Sequence, residues 1–389
     1  MEVFMNFINA MFGSILSLDP VSAVKMVVMW AIGGTLIYLA IKKDMEPSLL
    51  LPMGFGAILV NLPLSGAIDQ MHELGIEVGA LSELFRAGIS NELFPLLLFI
   101  GIGAMIDFGP LLANPKLFLF GAAAQVGIFL TIIAAALLGF DIIDAASIGI
   151  IGAADGPTSI LVSQVLGSRY VGAIAVAAYS YMALVPIVQP PVIKLCTTRK
   201  ERLIRMPYKK GSVSKTTKIL FPIVVTVLAG LVAPASVALV GFLMFGNLLR
   251  ECGVLNALSE TAQNVLANLI TIVLGLTVAG QMTADKFVQP DTLLILALGL
   301  VAFVFDTVGG VLFAKLLNLF LPEGKKINPM IGAAGISAFP MSGRVVNQMG
   351  LAEDNQNFLL MYSISVNVSG QIASVIAGGL ILTLMNGYV

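Results

Sequence analysis

Ile151-Gly-Ala-Ala-Asp-Gly-Pro-Thr158 places a carboxylate inside an apolar stretch and follows it at once with the two residues least able to continue a helix. In lipid that combination is expensive. An ionised side chain at the bilayer centre costs about 2.5–3.5 kcal/mol on insertion scales, and a Gly-Pro break frees backbone carbonyls that need partners there. A cation held between the Asp155 carboxylate and the unwound carbonyls would offset both, and broken helices are where ion-coupled membrane proteins put such sites. The bland alternative is a proline kink whose carboxylate pairs with a neighbouring base.

The rest of the chain says that the surroundings are lipid. Of 389 residues 58% are hydrophobic and 11% charged, against about 25% charged in soluble domains. An all-α polytopic membrane protein is expected. The net charge of −1 carries no nucleic-acid footprint, and Cys196 and Cys252 have neither metal-ligand nor disulfide spacing. Residues 1–20 read as an interfacial helix and not a signal peptide, since Glu2 stands where a basic region would be and no small-residue cleavage site follows. His72, in a polar loop, reads as solvated.

Apolar runs long enough to cross a bilayer fall into two halves. The first, 21–193, has an acidic extramembrane loop over 65–91 and a re-entrant element over 145–166 built on the broken stretch. A loop over 194–218 follows, with nine Lys or Arg against Glu201 alone; the positive-inside rule makes it cytoplasmic. The second half, 219–389, contains another Gly- and Pro-interrupted stretch over 328–350. Ile331-Gly-Ala-Ala-Gly335, running on to Pro340, echoes Ile151-Gly-Ala-Ala-Asp-Gly-Pro157. Tracing outward from the basic loop puts the mouth of the first broken segment outside and that of the second inside. The expectation is two inverted-topology repeats of about five crossings and one broken re-entrant helix each, with tips meeting at the site and one part moving against the other in an elevator-like cycle.

On that architecture the second broken segment brings Asn328, Gly332, Ser337 and Arg344 toward Asp155. Asn328 precedes Pro329 and is either an ion ligand or a helix cap. Ser337 sits in the break, where a hydroxyl satisfies a loose backbone group or binds an ion. Arg344, read as buried or half-buried, either neutralises an acid or receives an anionic group in its planar fork. Asn367 and Ser369 on the last helix, and Tyr179 and Tyr181 on its counterpart, line the same cavity; a tyrosine hydroxyl there relays a proton or bonds a carbonyl. Asp306 is a further intramembrane acid whose partner the sequence does not identify.

At these residues the chain resembles the beta subunit of the sodium-translocating, biotin-dependent decarboxylases, which act on oxaloacetate, methylmalonyl-CoA or glutaconyl-CoA. The likeness covers most of the chain and is most specific in Glu92-Leu-Phe-Pro95 leading into Phe99 through Gly109, in Gly152 through Thr158, and in Asn328-Pro329 through Arg344. The resemblance implies that Asp155 is an essential sodium-site residue, and that the family's functional tyrosine, asparagine, glycine, serine and arginine fall on Tyr181, Asn328, Gly332, Ser337 and Arg344. It adds Asn367 to the ion site. It also implies a mechanism: a separate biotin carrier presents carboxybiotin from the cytoplasm, this subunit decarboxylates it with uptake of a proton, and sodium leaves the cell. Arg344, with Ser337, would receive carboxybiotin. No Met-Lys-Met biotinylation stretch occurs in this chain, so the carrier is another subunit, alongside an alpha carboxyltransferase and a small membrane subunit, around a homotrimer of this chain in a bacterial or archaeal inner membrane. A shorter region before Val21 leans toward the acyl-CoA enzymes. The rival reading is a sodium-coupled secondary transporter or cation/proton antiporter with no decarboxylation step.

Overall fold

The computed structural model describes residues 19–387 apart from 44–46, 64, 73–74 and 207–212. The interfacial helix expected over 1–20 therefore lies, but for Asp19 and Pro20, outside the described residues, as do Lys209 and Lys210. Helices of five residues or fewer are named by residue. The others, in chain order, begin with α1 (Pro20–Lys43), α2 (Pro47–Val60), α3 (Leu93–Met105), α4 (Phe118–Ala123), α5 (Val126–Leu137), α6 (Ile142–Gly149) and α7 (Gly156–Val165). They continue with α8 (Val171–Cys196), α9 (Lys215–Val232), α10 (Val237–Glu251), α11 (Ala267–Ala279), α12 (Pro290–Phe320), α13 (Met341–Glu353) and α14 (Leu360–Met385).

Among the described residues six helices are long and apolar enough to cross a membrane, and two further pairs interrupted at short breaks bring the number to eight. The chain is a multi-pass membrane protein. The loop expected over 65–91 holds more order than a loop: an antiparallel hairpin of β1 (Gln70–His72) and β2 (Gly75–Glu77), then a short helix, Ala80–Leu84, running into a π-helical turn.

The chain forms two compact units, one from the described residues of Met1–Leu93 with Ile270–Leu294, the other from Phe94–Leu269 with the described residues of Ile295–Val389. In the first, α1 starts where Asp19 caps the amides of Val21 and Ser22 at 3.1 Å. It then crosses α2 at Gly33 and Gly54, where a Cβ on either residue would lie 2.7 Å from the other's carbonyl oxygen. Small residues at a crossing let two backbones meet in a medium that supplies no hydrophobic drive between helices. Asn61, at the end of α2, donates to Ala57 and Met282 carbonyls and accepts from the amide of Ala284, fixing Ala284–Phe287 beside α2.

The second unit carries the broken stretches. The first runs α6, a 3₁₀ turn over Ile150–Ala153, a left-handed Ala154 (φ 51°) and α7, which Asp155 caps. Gly156 and Pro157 enter α7 at its first turn, where a missing N–H costs nothing. The second is a 3₁₀ turn over Pro329–Gly335, a non-helical link from Ile336 to a turn at Phe339-Pro340, and α13. Gly332 there abuts Gly310 of α12, each placed so that a Cβ would lie 2.0 Å from the other's carbonyl oxygen.

Gly332→Ala must push α12 off the second break, so overpacking of about 1–3 kcal/mol is expected. Gly34→Ala, in the interior of α1 where a Cβ meets nothing within 4 Å, should be neutral or stabilising by up to about 1 kcal/mol. Thermal unfolding of both variants in detergent, side by side, checks the difference.

Candidate ion site

The two breaks touch. The Ser337 amide donates to the Ala153 carbonyl at 2.9 Å, joining the second segment to the first, two residues before Asp155. Asp155 is 3% exposed, and its side chain accepts hydrogen bonds from one backbone amide and three hydroxyls. Its Oδ2 accepts from Thr158 Oγ1 at 2.9 Å, Ser337 Oγ at 3.1 Å and Ser374 Oγ at 2.7 Å, while Oδ1 takes only the Thr158 amide at 3.4 Å. No Lys or Arg pairs with it among the described residues, so the proline-kink reading with a neighbouring base does not describe this site.

The carbonyls freed by the second break are held by side-chain amides. Gln189 donates to Ala333 at 2.8 Å, Gln125 to Gly335 at 3.4 Å, Asn367 to Ile336 at 2.7 Å, and Gln371 to Ser337. Gln189 also spends its oxygen, on Ser342 Oγ at 2.9 Å. The oxygens of Gln125, Asn367 and Gln371 are buried with no partner. Asn367, Gln371 and Ser374 lie on one face of α14 by their helical spacing. Thus Asp155, Ser337, Gln371 and Ser374 form one connected group, and Asn367 adjoins it through the Ile336 carbonyl. Buried, uncharged oxygen donors around one carboxylate suit a hard cation of low charge. Among the described residues no three His, Cys, Asp or Glu side chains gather, as a transition-metal site would require.

The remaining predicted residues fall elsewhere. Asn328 caps the second 3₁₀ turn, accepting from the Met330 amide at 3.1 Å while donating to the Arg202 and Ile204 carbonyls at 2.8 and 2.9 Å. Of its two open readings the structure shows the cap. Tyr181 donates to the carbonyl of Leu296 on α12. Its neighbour Tyr179, two positions back and so on another helix face, lays its ring over Gly156 and buries a hydroxyl with no partner. Arg344, expected to be buried or half-buried, is exposed. The reason is helical phase: Ser342, Gly343, Val345 and Val346 turn inward at the start of α13 and leave Arg344 on the outer face. It makes no ion pair among the described residues.

Thr158, Gln125, Gln371 and Ser374 were not predicted. The polar residues Asn367, Gln371 and Ser374, spaced four and three apart in an apolar helix, were the available signal.

A buried carboxylate without a base, set between two interrupted helical segments and ringed by neutral oxygens, defines a cation-handling membrane protein. The family model described as the Na+-transporting oxaloacetate decarboxylase beta subunit matches residues 25–385, and the chain belongs to that family. It is 48% identical to the methylmalonyl-CoA decarboxylase subunit beta of Veillonella parvula, covering 93% of each chain. It is likewise 48% identical to the glutaconyl-CoA decarboxylase subunit beta of Acidaminococcus fermentans, over 92% of this chain and 93% of the relative. Identity to the oxaloacetate decarboxylase beta chain of Klebsiella pneumoniae is 46%, over 89% of this chain and 92% of that one.

Removing the two tyrosine hydroxyls should have different effects on stability. Tyr181→Phe deletes a made hydrogen bond and should cost about 0.5–1.5 kcal/mol, whereas Tyr179→Phe deletes a buried, unpartnered hydroxyl and should be neutral or stabilising. Unfolding midpoints of the two variants check this.

Proposed function

We propose that this chain is the membrane subunit of a sodium-pumping decarboxylase, that it decarboxylates carboxybiotin delivered by a partner subunit, and that Asp155 is the carboxylate where sodium and a proton exchange. The observation that carries this reading is a buried Asp155 at the junction of two broken segments, held by three hydroxyls and one backbone amide with no base against it among the described residues; membership of the sodium-transporting family supplies the cargo. The plain transporter or antiporter alternative lacks such a family basis.

Sodium is the transported substrate. The residues present fit it: Asp155 Oδ1 has one long contact, the oxygens of Asn367 and Gln371 are unspent, and Ser337 and Ser374 can turn a lone pair inward as easily as a proton. In this reading Asn328 and Gly332 shape the second break, one by capping it and the other by close packing, and do not ligate the ion. Tyr181 fixes α8 to α12, and Tyr179 is the tyrosine whose hydroxyl is free beside the site.

Carboxybiotin is the second substrate. Arg344, exposed and without an ion pair among the described residues, is suited to receive its carboxylate from the cytoplasmic carrier in bidentate fashion. Loss of CO2 breaks the carbon–nitrogen bond, leaves the electron pair on the ureido nitrogen and requires one proton there. That one proton passes by way of Asp155: on arrival it neutralises the carboxylate that held sodium and releases the ion, and its onward transfer to the ureido nitrogen restores the carboxylate. Each sodium driven outward against 100 mV costs about 2.3 kcal/mol, which the decarboxylation must supply. The two similarly interrupted segments, meeting through Ser337 and Ala153, support the inverted-repeat plan with boundaries at 21–193 and 219–389 and the elevator-like cycle that goes with it.

The alpha carboxyltransferase, biotin carrier and small membrane subunit, and a homotrimer in a bacterial inner membrane, complete the proposal. The acyl-CoA enzymes are the nearer type: the Veillonella alignment spans 361 columns over 93% of this chain, whereas the Klebsiella alignment needs 401 columns to cover 89%. The oxaloacetate relative therefore carries insertions that this chain lacks.

Radioactive sodium uptake into vesicles holding the assembled complex tests the ion site. Asp155→Asn, which keeps shape and loses charge, should abolish both uptake and decarboxylation; sodium-dependent turnover in that variant would remove Asp155 from the cycle. Arg344→Lys should lose decarboxylation of carboxybiotin while still binding sodium, because a point charge does not replace a planar fork.

A further inference from the structure

On the cytoplasmic side of the second unit, a cleft of about 870 Å³ opens between the stretch around Lys200–Arg205 and the C-terminal end of α12. We propose that it binds the headgroup of an anionic phospholipid. None of the groups assigned to sodium or carboxybiotin lines it.

Its charge and its hydrophobic wall point to the same kind of molecule. Lys200, Arg205, Lys315 and Lys326 face the cleft against two acids, Glu201 and Glu323. Lys315 lies 3.2 Å from Glu201, and Lys326 lies 2.9 Å from Glu323, whose side chain is 94% exposed. An ion pair so exposed contributes little and yields readily to a better anion. Arg205 is held by Asp354 through its Nε and by Gln356 through Nη1. Lys200 makes no ion pair among the described residues. A phosphodiester entering here meets a surplus of positive charge with at least one cation uncommitted.

The same cleft includes Leu316 and Leu319, and Phe320 follows them as the last residue of α12. They are 51%, 79% and 79% exposed and form the last turns of a membrane-spanning helix. Acyl chains would lie along these side chains while the phosphate sits among the lysines. A freely dissolved anion gains nothing from that wall, whereas basic pockets beside spanning helices on the cytoplasmic face suit acidic lipid headgroups. An acidic protein surface would use the charge but not the recess.

The test uses the delipidated full-length chain, titrated in nanodiscs with phosphatidylglycerol in a phosphatidylcholine background and read by native mass spectrometry, with inorganic phosphate as a competing arm. Phosphatidylglycerol should be retained over phosphatidylcholine. Lys200→Gln and Lys326→Gln should each weaken retention about fivefold. Glu323→Gln should strengthen it, an opposite sign that general loss of folding could not produce. Equal retention of the two lipids, or indifference to all three substitutions, overturns the proposal. So does full displacement by millimolar inorganic phosphate, which would mark a site for soluble anions, or displacement by an acidic biotin-carrier domain, which would make the cleft a protein-docking surface.

Discussion

A carboxylate kept in the membrane interior by three hydroxyls and one long backbone-amide contact, with no base beside it among the described residues, is the constraint on which this structure turns. An arginine or lysine beside Asp155 would neutralise it permanently, because removing either partner of a buried pair strands the other charge. Thr158, Ser337 and Ser374 do something weaker. Each hydroxyl can donate to the carboxylate or rotate and accept, so the group is solvated without being committed. Such a site can fill and empty, which a salt bridge cannot.

The segments that deliver those hydroxyls are unwound, and unwinding has its own cost. The carbonyls of Ala333, Gly335, Ile336 and Ser337 fall outside regular helix, and a buried orphan carbonyl costs about 1–3 kcal/mol. Four carboxamides from three other helical regions meet this need: Gln125 between α4 and α5, Gln189 on α8, and Asn367 and Gln371 on α14. A carboxamide is suited to the task because its two ends differ. The nitrogen ties down the break, and in three of the four the oxygen is left facing the interior. A serine or threonine would repair the backbone as well but would bring less acceptor strength to a cation. The same side chains therefore hold the break open and line it.

How much of this was legible depended on whether a signal was local. The breaks at Asp155-Gly-Pro and before Pro340 were readable because Gly and Pro act on their own backbone, and an aspartate in apolar sequence stands out whatever surrounds it. The meeting of the two breaks followed from the echo between residues 151–157 and 331–340, and the Ser337–Ala153 contact bears out that they converge. What failed to read were rotations about helix axes. Tyr179 and Tyr181 are equivalent as sequence, and only the placement of α8 against α7 and α12 decides that Tyr179 covers Gly156 while Tyr181 reaches Leu296. Arg344 looked buried because its neighbours are small and apolar, yet those neighbours are what turn it outward. Asn328 could not be resolved from the sequence because its partners, the carbonyls of Arg202 and Ile204, lie more than a hundred residues away.

The second intramembrane acid makes the contrast plain. Asp306 on α12 is as buried as Asp155, at 0% exposure, and likewise has no cationic side chain against it among the described residues. Its Oδ1 accepts the Ile128 amide at 3.2 Å, in the first turn of α5, where the interruption after Ala123 leaves backbone N–H groups without helical partners. Those donors are fixed and cannot rotate away, and Gly127 and Gly152 both pack too closely on the carboxylate to carry a Cβ without displacement. Asp306 is thus built in as the cap of a broken span and as the contact between α12 and the turn that leads to Asp155. Asp306 takes its hydrogen bond from a fixed backbone amide, whereas three of the four donors to Asp155 are hydroxyls that can turn away. That difference in donors is what sets Asp155 apart as the group proposed to exchange its ion, although Asp306 too keeps one carboxylate oxygen, Oδ2, buried without a partner among the described residues.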